Sequence, residues 1–188
     1  MALPLYPLMS VEEYLVLDRN SQDARYEYFD GQVRMLAGGS ANHSIIGTNI
    51  SALLHNALKE TPCIVYNSDM RVQVEAVEST YVYPDVVVSC EEVQDDMLYA
   101  PRVIVEVLSP GTEAGDRGWK FVSYRNCPSL QNYILVDSLK QLIEIYHRDG
   151  NRWTLSTYRA GDEVYIQSFD VQFAVEEVYA KVRLFKNK

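Results

Sequence analysis

The sequence predicts a mixed α/β fold (α+β), a central mixed sheet flanked by helices with a hairpin towards each end. Three features of the pattern carry that prediction. Two runs, residues 81–88 and 102–110, are apolar and β-branched over strand length, as strands buried on both faces are. Residues 42–59 repeat Ile46, Ile50, Leu53, Leu54, Ala57 and Leu58 at helical spacing, long enough for a crossover helix. Strand–turn–strand patterns surround Asp30-Gly31 and Asp149-Gly150-Asn151. Strands interleaved with a crossover helix imply a mixed sheet with helices on its faces.

Each element has its own local reason. Ser10-Val11-Glu12-Glu13 has the form of a capping box, the Ser10 hydroxyl accepting from a first-turn N–H while Glu13 reaches back. The helix it opens ends near Leu17, before a polar loop at 18–23. Residues 25–29 and 32–36 flank the Asp30-Gly31 turn, and Gly38-Gly39-Ser40 breaks the second strand. The long helix at 42–59 carries His43 at the N-terminal end of its apolar stripe and His55 on the opposite face. Thr61-Pro62 ends it. Strands at 63–67 and 70–75 follow, then the run at 81–88, an acidic loop at 91–96 and the run at 102–110. A helix at 116–125 stops before Pro128, and a buried strand covers 132–137. A hairpin of 142–148 with 153–158, a strand near 165–166 and a short helix over 175–181 complete the chain. No repeat, linker or low-complexity segment intervenes, so residues 1–188 read as one domain.

Composition excludes several classes. The chain is 47% hydrophobic and 23% charged, an ordinary balance for a soluble globular protein. No apolar run is long enough for a membrane span, and no leader pattern appears. Cys63, Cys90 and Cys127, odd in number and widely spaced, read as neither a disulfide framework nor a zinc cage. That reading places the protein in the reducing cytoplasm. The net charge of −9 argues against broad coating of nucleic acid, since phosphate contacts come from Lys and Arg. A local basic groove is compatible with that total.

Each apolar run carries one carboxylate, Asp85 in the first and Glu106 in the second. A buried carboxylate is costly unless it meets a cation or a set of donors. Alternation along a strand puts Glu106 on one face with Ile104 and Leu108, and Asp85 with Val87. If the strands are neighbours, both acids reach one hard ion such as Mg²⁺, with the Val107 carbonyl as a further oxygen ligand. Alternatively, Asp85 holds loop amides after Pro84 and Glu106 pairs with an arginine. Asp116 and Lys120 are four apart: an exposed ion pair, or a lysine turned back to the sheet to orient a water or stabilise a phosphoryl transition state. Arg117 beside them would then clamp phosphate. Glu27 either pairs across the hairpin with Arg34 or faces inward to the same site. His43 is a hydrogen-bonded core histidine or a contact to phosphate and carrier of a proton.

The order helix, three strands, helix, strand, with Pro84-Asp85 and Glu106-Val107-Leu108 on the strands, resembles the PD-(D/E)XK nuclease superfamily. More closely, the chain is similar to the Uma-type family of restriction-endonuclease-like proteins. The matching residues are Arg25-Tyr26-Glu27 with Asp30-Gly31, His43, Pro84-Asp85-Val86, Glu106 to Pro110, Asp116-Arg117 with Lys120 and Tyr124, and the strand from Tyr133 to Asp137. The resemblance implies a restriction-endonuclease-like core and metal-dependent phosphodiester hydrolysis, with Mg²⁺ (or Mn²⁺) as cofactor, DNA as substrate and a homodimeric assembly. It implies Asp85 and Glu106 as metal ligands, with Glu27 completing the acidic cluster. The superfamily places a lysine two residues after the second acid, where this chain has Leu108, so Lys120 would serve from the neighbouring helix. The competing expectation is a binding or oligomeric module that keeps the fold without turnover. It draws on the acidic balance and the lack of a zinc finger, helix-turn-helix or basic arm.

Overall fold

The computed structural model describes residues 8–36, 38–74, 80–94 and 96–184. In chain order the elements are α1 (Val11–Asn20), β1 (Tyr26–Phe29), β2 (Gln32–Met35), α2 (Ala41–Leu58), β3 (Ile64–Asn67), β4 (Arg71–Val74), β5 (Thr80–Val82) and β6 (Val86–Ser89). After them come β7 (Met97–Leu98), β8 (Val103–Leu108), α3 (Glu113–Gly115), a π-type turn (Asp116–Lys120), α4 (Phe121–Arg125), β9 (Asn132–Asp137), β10 (Leu142–Asp149), β11 (Arg152–Arg159), β12 (Glu163–Ile166), β13 (Val171–Ala174) and α5 (Val175–Val178). They form a five-stranded sheet in the order β2-β1-β5-β4-β7, a six-stranded sheet in the order β11-β10-β9-β8-β6-β3, and the separate pair β12-β13. The mixed α/β architecture is the expected one, with antiparallel β6-β8 beside parallel β8-β9.

One expectation is corrected at Pro84. The run 81–88 is two strands in two sheets, since β5 belongs to the five-stranded sheet and β6 to the six-stranded one. Proline has no N–H for a ladder and restricts the residue before it. The chain therefore changes sheets at Tyr83-Pro84-Asp85, and Asp85 stands at the joint.

The two faces of β6 and β8 explain why both runs are apolar throughout. Val86, Val88, Val103, Val105 and Val107 pack with Ile46, Ile50, Leu54 and Leu58 of α2 on one side. Val87, Ile104 and Leu108 pack with Tyr124, Leu130 and Tyr133 on the other. All six residues of β8 are buried, Glu106 among them, on the face it shares with Ile104 and Leu108.

Local chemistry sets the remaining elements. Ser10 Oγ accepts from the Glu13 N–H and Glu13 Oε2 accepts from the Ser10 N–H, so the capping box forms and α1 runs on to Asn20. Asp30 and Gly31 both take positive φ, 47° and 76°, the geometry of a two-residue hairpin turn. Asp18 accepts from Arg71 Nη1 at 2.7 Å, from the Tyr83 hydroxyl at 2.6 Å and from the Tyr26 N–H at 3.2 Å. This buried carboxylate ties α1 to β1, β4 and the joint before Asp85.

The cysteine reading is also corrected. The β3-β6 ladder pairs Ile64 with Ser89, so the next residues outward, Cys63 and Cys90, face one another and are joined as a disulfide. Sequence spacing hides this, because 27 residues separate them. Cys127 is free and buried. The argument for a reducing compartment from unpaired thiols therefore falls away. Among the described residues, no helix is long and apolar enough to cross a membrane.

Replacing Arg71 with Met leaves Asp18 buried without its cation, and urea unfolding should show a loss of roughly 3–5 kcal/mol. A loss under about 1 kcal/mol would mean that the pair does not hold α1 to the sheet.

Candidate active site

The site is assembled around one ammonium. Lys120 Nζ lies 2.8 Å from Glu27 Oε1, 3.0 Å from Glu106 Oε1 and 3.4 Å from Asp116 Oδ1, and all four side chains are buried. The Tyr124 hydroxyl donates to the same Glu106 oxygen at 2.9 Å. The Tyr83 N–H points to Glu27 Oε1 at 3.4 Å. Of the alternatives for Asp116 and Lys120, the inward one is realised. The π-type turn supplies the means: Gly118 departs from helical geometry, at φ −99° and ψ −107°, and one widened turn carries both side chains to the sheet. Glu27 is opposite Arg34 in the ladder, yet its carboxylate goes to Lys120 while the Arg34 guanidinium lies over the Trp119 ring.

Asp85 forms the second half. Its Oδ2 accepts from the Val107 N–H at 2.7 Å and lies 3.2 Å from His43 Nε2. Since Val107 follows Glu106 directly, this bond sets the two acids beside one another at the end of the β6-β8 pair. His43 comes from the first turn of α2, where Ser40 Oγ accepts its N–H. A Cβ on Gly39 would stand 2.8 Å from His43 Nδ1, so that close approach is open only to glycine.

Charge is unbalanced here. Four carboxylates, Glu27, Asp85, Glu106 and Asp116, meet one ammonium and one imidazole. Burial pushes the Glu106 carboxyl well above its ordinary range, and the attraction of Lys120 offsets this only in part. Burial raises Glu27 and Asp116 in the same way. Burial alone would lower Lys120, but Glu106, Glu27 and Asp116 together raise it, and the ammonium stays charged. The His43 imidazole is raised, chiefly by its hydrogen bond to Asp85, against a smaller opposing effect of burial.

Above these groups is a cavity of about 710 Å³ lined by His43, Asp85, Glu106, Asp116 and Lys120, with Arg25 and Tyr83 among its walls. Five sequence-predicted residues, Glu27, His43, Asp85, Glu106 and Lys120, are thus brought together. Arg117 is not. Its guanidinium is held by Glu113 and Glu144, and it does not line the cavity. The site offers Arg25 instead, paired with Asp69 and lying 5.9 Å from the centre of the Tyr83 ring. The α2 faces also differ from expectation. His43, Gly47 and Ser51 line this cavity, and Ser51 and His55 line an adjoining one, so the two histidines share a row of four-residue steps. The buried row is Ile46, Ile50, Leu54 and Leu58.

Whether a metal suits these residues turns on their chemistry. Among the described residues, no three His, Cys, Asp or Glu side chains form a ready cage. Mg²⁺ does not require one, because it is commonly held by one or two carboxylates with water and substrate phosphate completing its shell. Asp85 and Glu106 are such a pair, with the Val107 carbonyl next in the chain, and the surplus of buried acid favours an added cation. The donor set fits.

This geometry has relatives. A family model described as "Uma2: Putative restriction endonuclease" matches residues 11–176. The chain belongs to the Uma2 family. An uncharacterised protein of Synechocystis sp., slr1290, is 39% identical over 178 residues, covering 93% of each chain. A second from the same organism, sll1609, is 34% identical over 165 residues, covering 85% of this chain and 92% of the other. The crystal structure of a "putative nuclease belonging to DUF820" from Anabaena variabilis superposes with a TM-score of 0.72 at 16% identity, over 92% of this chain and 98% of that one. That likeness establishes the restriction-endonuclease-like fold.

Two measurements check the electrostatics. A carboxyl with a raised folded-state pKa stabilises the fold at low pH and loses that contribution as pH rises through the folded value. Lys120→Met removes the opposing ammonium, so its unfolding free energy should drop by about 3–5 kcal/mol at about pH 8 and by clearly less at about pH 5. A pH-independent loss would contradict this. The His43 ring should titrate above 6.5 by NMR and fall back in Asp85→Asn.

Proposed function

We propose that this Uma2-family chain is a Mg²⁺-dependent nuclease that hydrolyses phosphodiester bonds in DNA. The observation that carries the reading is the pair Asp85, at the joint before β6, and Glu106, on the neighbouring β8, both open to one cavity with Lys120 between Glu106, Glu27 and Asp116. The naming of the family as restriction endonucleases and of the Anabaena protein as a nuclease supports the same reading.

Asp85, Glu106 and the Val107 carbonyl would hold the ion. When bound, Mg²⁺ lowers the pKa of water and offsets charge gathering on a phosphate. The chain's own groups supply the rest. Lys120 keeps Glu106 oriented and presents a permanent positive charge to the attacked phosphate or the attacking water. It takes the part that residue 108 cannot, since Leu108 is committed to the apolar cluster. Glu27 and Asp116 hold the ammonium in position from two further directions. Tyr124 donates to Glu106 and fixes its rotamer. His43, bonded to Asp85 at the cavity wall, would hold a phosphate oxygen or pass a proton to the leaving oxygen.

Incubation of the purified chain with plasmid and linear DNA in Mg²⁺ or Mn²⁺ tests this. Cleavage should appear, stop with EDTA, and fall at least about 100-fold in Asp85→Ala and Glu106→Ala and by a similar factor in Lys120→Met. Absence of cleavage under all these conditions, or full activity in Asp85→Ala, would overturn the reading.

A further inference from the structure

The six-stranded sheet ends in an open strand. β11 pairs with β10 along its whole length without a bulge, and among the described residues no strand pairs with its outer edge. Six of its eight residues are exposed. The other edges of the two large sheets are β2, β3 and β7, of four, four and two residues. β11 therefore presents the longest row of free N–H and C=O groups. Soluble proteins blunt such an edge with lysine, proline, a bulge or short length. β11 has none of these, and its charges are Arg152 and Arg159, one at each end.

The side chains along this edge suit an interface. Leu155, near the middle, is 47% exposed. Trp153, two residues away on the same face, meets the Phe121 ring edge-on at 6.0 Å, with the Arg148 guanidinium 4.5 Å from its centre. Interface hot spots are enriched in tryptophan, tyrosine and arginine. Symmetry then limits how two copies of the strand can meet. Opposed residues of an antiparallel pair alternate between hydrogen-bonded and non-hydrogen-bonded types, so a two-fold axis between identical strands must set some residue opposite itself. Arg152 can therefore never lie directly opposite the partner's Arg159, the like-charge contact that would destabilise the pair. With Leu155 on the axis, Thr154 faces the partner's Ser156, Trp153 its Thr157, and Arg152 the ring of its Tyr158. Residues 152–158 are then all paired, and Arg159 falls past the end. A second copy thus supplies a strand of matched length with no like charges opposed.

We propose that β11 is a self-association surface, on which a second copy of this chain lays its own β11 antiparallel across a two-fold axis at Leu155. The two six-stranded sheets then run on as one. The contact is isologous, the commonest arrangement in soluble homodimers. An axis perpendicular to the sheet keeps the α4 sides of both copies on one face, so the two Trp153–Phe121 pairs flank the Leu155 contact together. β11 lies at the opposite end of the sheet from β3, and none of its residues lines the cavity over the carboxylates. Pairing leaves that cavity open, and the proposal does not depend on the nuclease reading.

Light scattering during gel filtration of the full chain, at about 50 μM so that a dimer of micromolar affinity persists, tests the proposal. The wild-type chain should run at twice its 21.5 kDa. Leu155→Lys and Leu155→Glu each set two like charges on the axis, and each should weaken the dimer at least about ten-fold. An equimolar mixture of the two variants should restore it, since a mixed pair opposes an ammonium to a carboxylate. Leu155→Cys gives a second reading that leaves the dimer intact. Opposed antiparallel residues have Cα atoms about 4.5 or 5.5 Å apart, within disulfide reach, so mild oxidation should link this variant into a covalent dimer. Thr157→Cys, on the same face but opposite the partner's Trp153, should link far less. A wild-type chain that runs as a monomer, its edge left for a different chain or for none, would overturn the proposal. So would a dimer indifferent to both charge variants, a mixture no more dimeric than its components, or a Leu155→Cys chain that does not cross-link.

Discussion

The Lys120 ammonium is the contact on which the site depends. Three carboxylates from three separate parts of the chain converge on it, Glu27 from β1, Glu106 from β8 and Asp116 from its own turn. None of them is tolerable in that burial without a positive partner, and the ammonium itself is tolerable only because several acids surround it. The cluster therefore specifies an arrangement more than it adds stability. It draws the hairpin, the central strand and the widened turn to one point, while Tyr124 and the Tyr83 N–H take up remaining acceptor capacity.

Much of this was legible in the sequence, because it rests on short-range rules. The capping box at Ser10, the Asp30-Gly31 turn, the apolar row of α2 and the alternation that sets Glu106 with Ile104 and Leu108 need only local periodicity. The adjacency of Asp85 and Glu106 followed once their strands were taken as neighbours. What stayed hidden depends on long-range register or on non-ideal backbone. Cys63 and Cys90 meet only because the β3-β6 ladder continues past Ile64 and Ser89. Arg117 turns away because Glu144, on a strand 27 residues later, captures it. Arg25 and Asn67 become walls of the cavity through the packing of elements distant in sequence.

The change of sheet at Pro84 had a signal that could have been heeded. A proline inside an apolar run argues against a continuous ladder, and Pro84 stands two residues beyond the end of β5 and two before the start of β6. Treating 81–88 as one strand left Asp85 on a strand interior, where it had no free edge. At a joint, its carboxylate can instead cap the Val107 N–H beyond the last β6-β8 pair.

That joint has a consequence for how the chain becomes competent. Glu27 belongs to the five-stranded sheet, whereas Glu106 belongs to the six-stranded one, and Lys120 bridges them. The cluster is therefore a sensor of docking between two pieces of secondary structure, each with its own hydrogen-bonded ladder. A partly folded chain that has zipped one sheet and not seated the other holds its acids apart, with Lys120 unanchored. Local opening of the hairpin would disarm the site without unravelling the six-stranded ladder. Chemistry of this kind stays silent until the last large piece is in place.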